Sequence, residues 1–195
     1  MVASRRKNRA VFAATVAVSL AFPLGARADS VPVPISLQAD LLYMIAAHDL
    51  NLPARSGGEV RTLVVTKSTD DSSLAAAQFK AAATAKSAVA GLPHVVRIAP
   101  FTTAPALAEA CRSNRLSIVY LTPGFSGLEA AAIARALEGG SVLTVAAAPA
   151  MVKRGAVLGF TLVSGRARLL VNLAQAAKQR VAFGDDVLGL MAAPQ

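Results

Sequence analysis

Between Val60 and Ala146 four short apolar runs alternate with three helical segments. The runs are Val60–Thr66 (VRTLVVT), His94–Ala99, Leu116–Thr122 (LSIVYLT) and Val142–Ala146; the segments between them are 74–89, 103–113 and 128–137. The runs are apolar on nearly every position rather than on alternate ones, so each must be covered on both faces. Strands joined through helices lie parallel. The pattern therefore predicts an α/β domain of three layers, with a mostly parallel central sheet between two helical layers. Asp70–Ser73 are expected to cap the first helix and Ser126 the third, which Gly139-Gly140 would end.

The flanks differ from this centre. Upstream, Ser36 would cap a helix through LQADLLYMIAAHDL, where Leu37, Leu41, Leu42, Ile45 and Ala46 recur at helical spacing. Residues 51–58 read as a loop. Downstream, the alternation stops at Gly155. Val157–Val163 and Arg166–Val171 are separated by Ser164-Gly165, a two-residue loop that signals a C-terminal antiparallel hairpin. Asn172 then opens a helix, and Asp186–Ala192 read as a last one. No repeat or long linker divides residues 29–195, which form one expected domain.

Residues 1–28 are of another kind. Arg5, Arg6, Lys7 and Arg9 precede the apolar run Val11–Phe22, which Pro23 and Gly25 end, and Ala26-Arg27-Ala28 supplies small residues before Asp29. A basic start, a short apolar core and an A-x-A site make a secretory signal peptide. The run has 12 residues, against about 20 for a spanning helix. Arg5-Arg6 hints at twin-arginine export. The chain is expected in the periplasm, with no stable membrane insertion after cleavage. Its charge of +9 also changes meaning, because five of 20 basic residues and none of 11 acids precede Asp29, leaving +4. The remaining basic residues form no run longer than Lys153-Arg154 and no aromatic-laced face, which argues against nucleic acid. A homodimer stays open.

Catalytic chemistry finds little purchase. Pro123-Gly-Phe-Ser-Gly127 sits at a strand-to-helix turn, but a nucleophile elbow needs G-x-S-x-G and a histidine base. The two histidines, His48 and His94, both precede Ser126. Ser126 reads as an N-cap. The same turn has neither phosphate-loop nor dinucleotide glycine spacing, and no cofactor is expected. One cysteine and two distant histidines make no metal set, and Asp70-Asp71 and Asp185-Asp186 read as helix-start carboxylates. Cys111 reads as a small buried hydrophobe, or, more sharply, as half of an intermolecular disulfide.

The last third carries a resemblance. Met151-Val-Lys-Arg-Gly155, then Gly159-Phe-Thr-Leu-Val-Ser-Gly-Arg-Ala-Arg-Leu-Leu-Val-Asn-Leu173, then Val187-Leu-Gly-Leu-Met191 resembles the YfiR family of periplasmic regulators. LQADLLYMIAAHDLNLP, VRTLVVTKSTDDSSLAAAQF and SIVYLTPGFSGLEAAAIARAL resemble its earlier elements, so the likeness spans most of residues 36–192. It implies a non-enzymatic regulator that binds the periplasmic part of an inner-membrane diguanylate cyclase or sensor kinase. For such a regulator the binding surface is expected on the hairpin and the following helix, at Phe160, Arg166, Arg168, Leu170, Asn172 and Ala176; read as ordinary structure, Phe160 is core, Asn172 is the helix N-cap, and Arg166 and Arg168 are a solvated hairpin face. Family members often carry an acid two residues before the hairpin asparagine, where this chain has Leu170, and some carry paired cysteines, where it has Cys111 alone. Two other readings stand beside it. One is an exported solute-binding or sensory domain using the crevice at the strand carboxyl ends, lined by the turns 122–127 and 146–149. The other is a hydrolase using Ser126.

Overall fold

The computed structural model describes residues 32–193, so the expected signal peptide lies outside the described residues. Helices α1 (Ile35–Ala46) and α2 (Leu52–Ser56) lead into strand β1 (Val60–Thr66). Then follow α3 (Asp70–Thr84), β2 (Ala88–Val89), β3 (Leu92–Pro100), α4 (Ala104–Ser113), β4 (Ile118–Leu121), α5 (Gly127–Ala136) and β5 (Leu143–Ala146). A 3-10 turn, Pro149–Met151, precedes β6 (Leu158–Val163) and β7 (Arg166–Val171). The chain closes with α6 (Leu173–Lys178), α7 (Asp185–Leu188) and β8 (Met191–Ala192).

All the strands join one sheet in the order β2-β3-β1-β4-β5-β6-β7-β8. β3, β1, β4, β5 and β6 run parallel; β6 and β7 form the antiparallel hairpin, with Val163 opposite Arg166. The apolar runs are buried on both sides, as their composition requires. One face packs Leu42, Tyr43 and Ile45 of α1 and Phe79 of α3 over Val64, Tyr120, Val145 and Phe160. The other packs Leu107 and Cys111 of α4 and Ile133 of α5 over Leu63, Val65, Val119 and Leu121. Phe79 stacks on Tyr120 at 4.0 Å between ring centroids. Both are fully buried, and each such side chain stabilises the fold by about 1.5–3 kcal/mol.

Local chemistry sets the boundaries, and several differ from the sequence reading. Ser36 lies inside α1 rather than before it: Pro34 stands at the cap position, and its carbonyl accepts the Gln38 N–H at 3.0 Å. Residues 51–58 contain α2, because Pro53 suits a helix's first turn and Gly57 takes the left-handed conformation that ends it. Thr69, one residue earlier than expected, caps α3; its hydroxyl accepts the Ser72 N–H. The first expected helix stops at Thr84, and Ala88–Val89 turn back as β2 against β3. The expected last helix divides into α7 and β8 around Gly189-Leu190, and β8 pairs with Leu169 and Leu170. Ser126 does cap α5, in a reciprocal capping box with Glu129.

Candidate interaction face

In a sheet of this order the natural crevice opens where neighbouring crossovers leave in opposite directions, at the carboxyl ends of β1 and β4. Here that crevice is filled. Lys67, just after β1, crosses it and donates to Glu129 Oε1 at 2.5 Å. Its ammonium lies 5.4 Å from the Phe101 ring centroid and 5.5 Å from that of Phe125, which are themselves edge-to-face at 5.2 Å. The bond from Lys67, then the Ser126 backbone N–H, holds the Glu129 carboxyl below the usual range. Behind the pair, the Ser72 and Thr122 hydroxyls lie 2.6 Å apart. Ser126 Oγ donates to Glu129 Oε2 and accepts the Glu129 N–H. His94 Nε2 lies 2.9 Å from the Tyr43 hydroxyl, and His48 pairs with Asp186. Neither histidine is a base for Ser126. The 146–149 turn borders a cleft of about 230 Å³ with Pro123, Val33 and Phe160, below the roughly 300–1,000 Å³ of ordinary ligand pockets.

The far end of the sheet is built differently. The period of two along β6 and β7 puts Phe160, Leu169 and Val171 into the core under α1, and Thr161, Val163, Arg166, Arg168 and Leu170 on the opposite face. On that face Thr161 pairs with Arg168 and the apolar Val163 with Arg166, and Ala192 of β8 lies next to Leu170. The 3-10 turn walls one side. Two glycines let it sit down: a Cβ on Gly159 would meet Val152 Cγ2 at 2.4 Å, and one on Gly155 would meet Ala134 Cβ at 2.3 Å. Between this wall and the hairpin runs a groove of about 470 Å³ bordered by Lys153, Thr161, Val163, Arg168, Leu170 and Ala192.

The six residues singled out from sequence therefore separate. Arg166, Arg168 and Leu170 share the groove face, the two arginines exposed and Leu170 half-buried. Phe160 and Ala176 are buried, at 1% and 3% exposure, and support the hairpin from the core side, where Phe160 also borders the apolar cleft. Asn172 is the N-cap of α6, accepting the Gln175 N–H at 3.0 Å. Its amide also donates to the Val152 carbonyl at 3.0 Å, which ties the groove wall to the base of the hairpin.

Sequence reasoning missed two features. The first is charge segregation. No acid occurs between Glu138 and Asp185, while Lys153, Arg154, Arg166, Arg168, Lys178 and Arg180 do. Residues 29–195 carry +4, all of it from this stretch, since 29–138 holds nine basic and nine acidic residues and the last segment adds Asp185 and Asp186. Counting acids by segment would have found it. Six ion pairs lie at the surface; among the described residues Lys153, Arg154, Arg166 and Arg168 have no carboxylate partner, nor do the scattered Lys80, Arg97, Arg115, Arg135 and Arg180. The second is a buried latch. Asp49 pairs with Arg55, both side chains almost wholly inaccessible. Asp49 Oδ1 also accepts the N–H groups of Asn51 and Ala182, and Arg55 and Asn51 both donate to the Arg180 carbonyl. Burial lowers the Arg55 guanidinium to about 10. The latch fastens the start of the domain to the segment after α6.

A three-layer α/β domain with a closed switch-point crevice and an open basic face on its C-terminal hairpin defines the class. The YfiR/HmsC-like family model matches residues 36–191, and the chain belongs to that family. Among solved structures it is similar to an ABC domain from Streptococcus pneumonia in complex with L-Trp, at 12% identity and TM-score 0.57, covering 82% of this chain and 61% of that one. It is also similar to a conserved domain protein from Vibrio cholerae, at 13% identity and TM-score 0.52, covering 83% and 60%. The chain thus spans about three-fifths of the length of these structures, and the likeness is one of fold. No curated protein matches it in sequence. Among the described residues no helix is long and apolar enough to cross a membrane, and no group of three or more His, Cys, Asp or Glu comes together for a metal.

Proposed function

We propose that this chain is a non-enzymatic periplasmic regulator that binds the extracytoplasmic part of an inner-membrane signalling protein, a diguanylate cyclase or sensor kinase, and restrains it. The observation that carries the reading is the open β6–β7–β8 face on a domain whose crevice is closed, in a chain of the YfiR/HmsC-like family. Restraint needs no reacting group. It needs tighter binding to the partner's inactive state than to its active one, and each 1.4 kcal/mol of difference shifts the balance about tenfold. The test is recovery of partners from detergent-solubilised host membranes by the exported chain, read by mass spectrometry, beside a Leu170→Glu/Arg166→Glu chain. A membrane cyclase or sensor kinase held by the native chain and lost with the variant supports the reading and the face. Recovery of no membrane signalling protein, even after crosslinking, removes it.

A second reading, a small exported sensory or solute-binding domain, is favoured by the apolar cleft beside Pro123 and Phe160 and by the L-Trp complex named for the streptococcal structure. Calorimetric titration with L-Trp decides it: saturable heat, lost on Phe160→Ala, supports the reading, and no heat removes L-Trp as the ligand.

A further inference from the structure

Resting on the regulator reading, we infer that the groove between the 3-10 turn and the β6–β7 hairpin receives an extended acidic segment of the partner protein, with carboxylates beside an apolar side chain. Lys153 and Arg168 stand on opposite borders of the groove, and Leu170, Val163 and Ala192 line it between and beside them. Arg166, opposite Val163, extends the cationic border toward the hairpin tip. No acid of this chain lines the groove; Glu138, which borders the neighbouring hollow with Lys153 and Arg154, is paired with Lys178. The groove's cations have no carboxylate partner among the described residues, whereas Lys67, at the sealed end, does. Binding an acidic segment would give them one.

The apolar lining separates a peptide from a charged plane. A membrane surface would meet a flat cationic patch with its headgroups and would leave a walled groove of about 470 Å³ empty. An extended peptide fills it, since alternate side chains of a strand point to opposite sides and can set an apolar residue on Leu170 with flanking acids toward Lys153 and Arg168. Leu170 matters to this fit. An acid at that position would put a negative charge in the groove, whereas leucine leaves the groove positive and apolar.

The experiment places the photo-crosslinking residue p-benzoylphenylalanine at position 170, and separately at Leu128, which is 85% exposed on α5 and outside the groove. The full chain is expressed in its host, irradiated, and its adducts are sequenced. The expected result is a protein adduct at position 170, absent at 128, in a segment rich in Asp and Glu. Lys153→Glu/Arg168→Glu should lower its yield about tenfold or more while the melting temperature stays unchanged. Lysines in place of the partner's acids should restore the yield against that variant. An adduct in a segment without acids, one indifferent to the double reversal, one with lipid alone, or one only from position 128 overturns the acidic-groove inference. The regulator reading is judged separately, by whether the native chain recovers a membrane signalling protein at all.

Discussion

The two ends of the sheet handle charge in opposite ways. At the carboxyl ends of β1 and β4, where α/β proteins commonly hold a ligand, Lys67 already has Glu129 and two aromatic rings around it. At the β6–β7–β8 end, Lys153, Arg166 and Arg168 stand without carboxylates beside half-buried and exposed apolar groups. The first arrangement satisfies itself within the fold. The second leaves its cations to solvent, free for a partner's carboxylates. The same topology can therefore serve a ligand site or a docking face, and side chains at a few positions decide which.

If that contrast holds, substitutions in the closed frame act on stability and substitutions on the open face act on binding. The largest loss belongs to the buried latch. Asp49→Ala leaves Arg55 charged and inaccessible, and should lower unfolding free energy by about 3–5 kcal/mol in urea denaturation. Gly159→Ala comes next. It forces a methyl against Val152 and should cost about 1–3 kcal/mol; because it also displaces the groove wall, it is the one substitution here that should weaken both folding and partner recovery.

His94 supplies a smaller, pH-dependent effect. Burial holds its imidazole below the ordinary 6.5, so the unfolded chain binds more protons than the folded one. The stability it contributes is complete above about pH 6.5 and is lost as pH falls toward the folded value. Melting temperatures between pH 7.5 and 5 should therefore decline, and His94→Gln should flatten the part of that decline this residue causes. The smallest effect on folding is expected from Lys153→Glu/Arg168→Glu, both exposed, within about 0.5 kcal/mol of the native chain. A larger loss would show that these cations help to hold the fold, and the contrast between the two ends would fail.

The closed frame was legible wherever the cause is local. β1 begins and ends at the residues its apolar run marks, Ser126 caps α5 because glutamate stands three residues on, and the hairpin follows from Ser164-Gly165. What depends on distant partners was not legible. Asp49 accepts the N–H of Ala182 from across the chain, so nothing near Asp49 announces the latch. β8 exists because it meets Leu169 and Leu170, which its helical-looking sequence hides. The proposed face was half legible: residue type alone leaned Phe160 toward the core and Arg166 and Arg168 toward solvent, and the register puts them on opposite sides of the sheet, while the wall that the 3-10 turn adds was not visible. The acid-free stretch was countable from the beginning, yet it concentrates only when β6, β7 and the 3-10 turn fold together.

Where the partner proposed above is a diguanylate cyclase, the open hairpin face restrains it and the closed frame presents that face. The most direct test is cyclic-di-GMP in host cells lacking this chain, complemented either with the native protein or with Arg168→Glu/Leu170→Glu at equal periplasmic level. The nucleotide should rise on deletion, fall with the native chain, and stay high with the variant. Full restoration by the variant would contradict that role of the face.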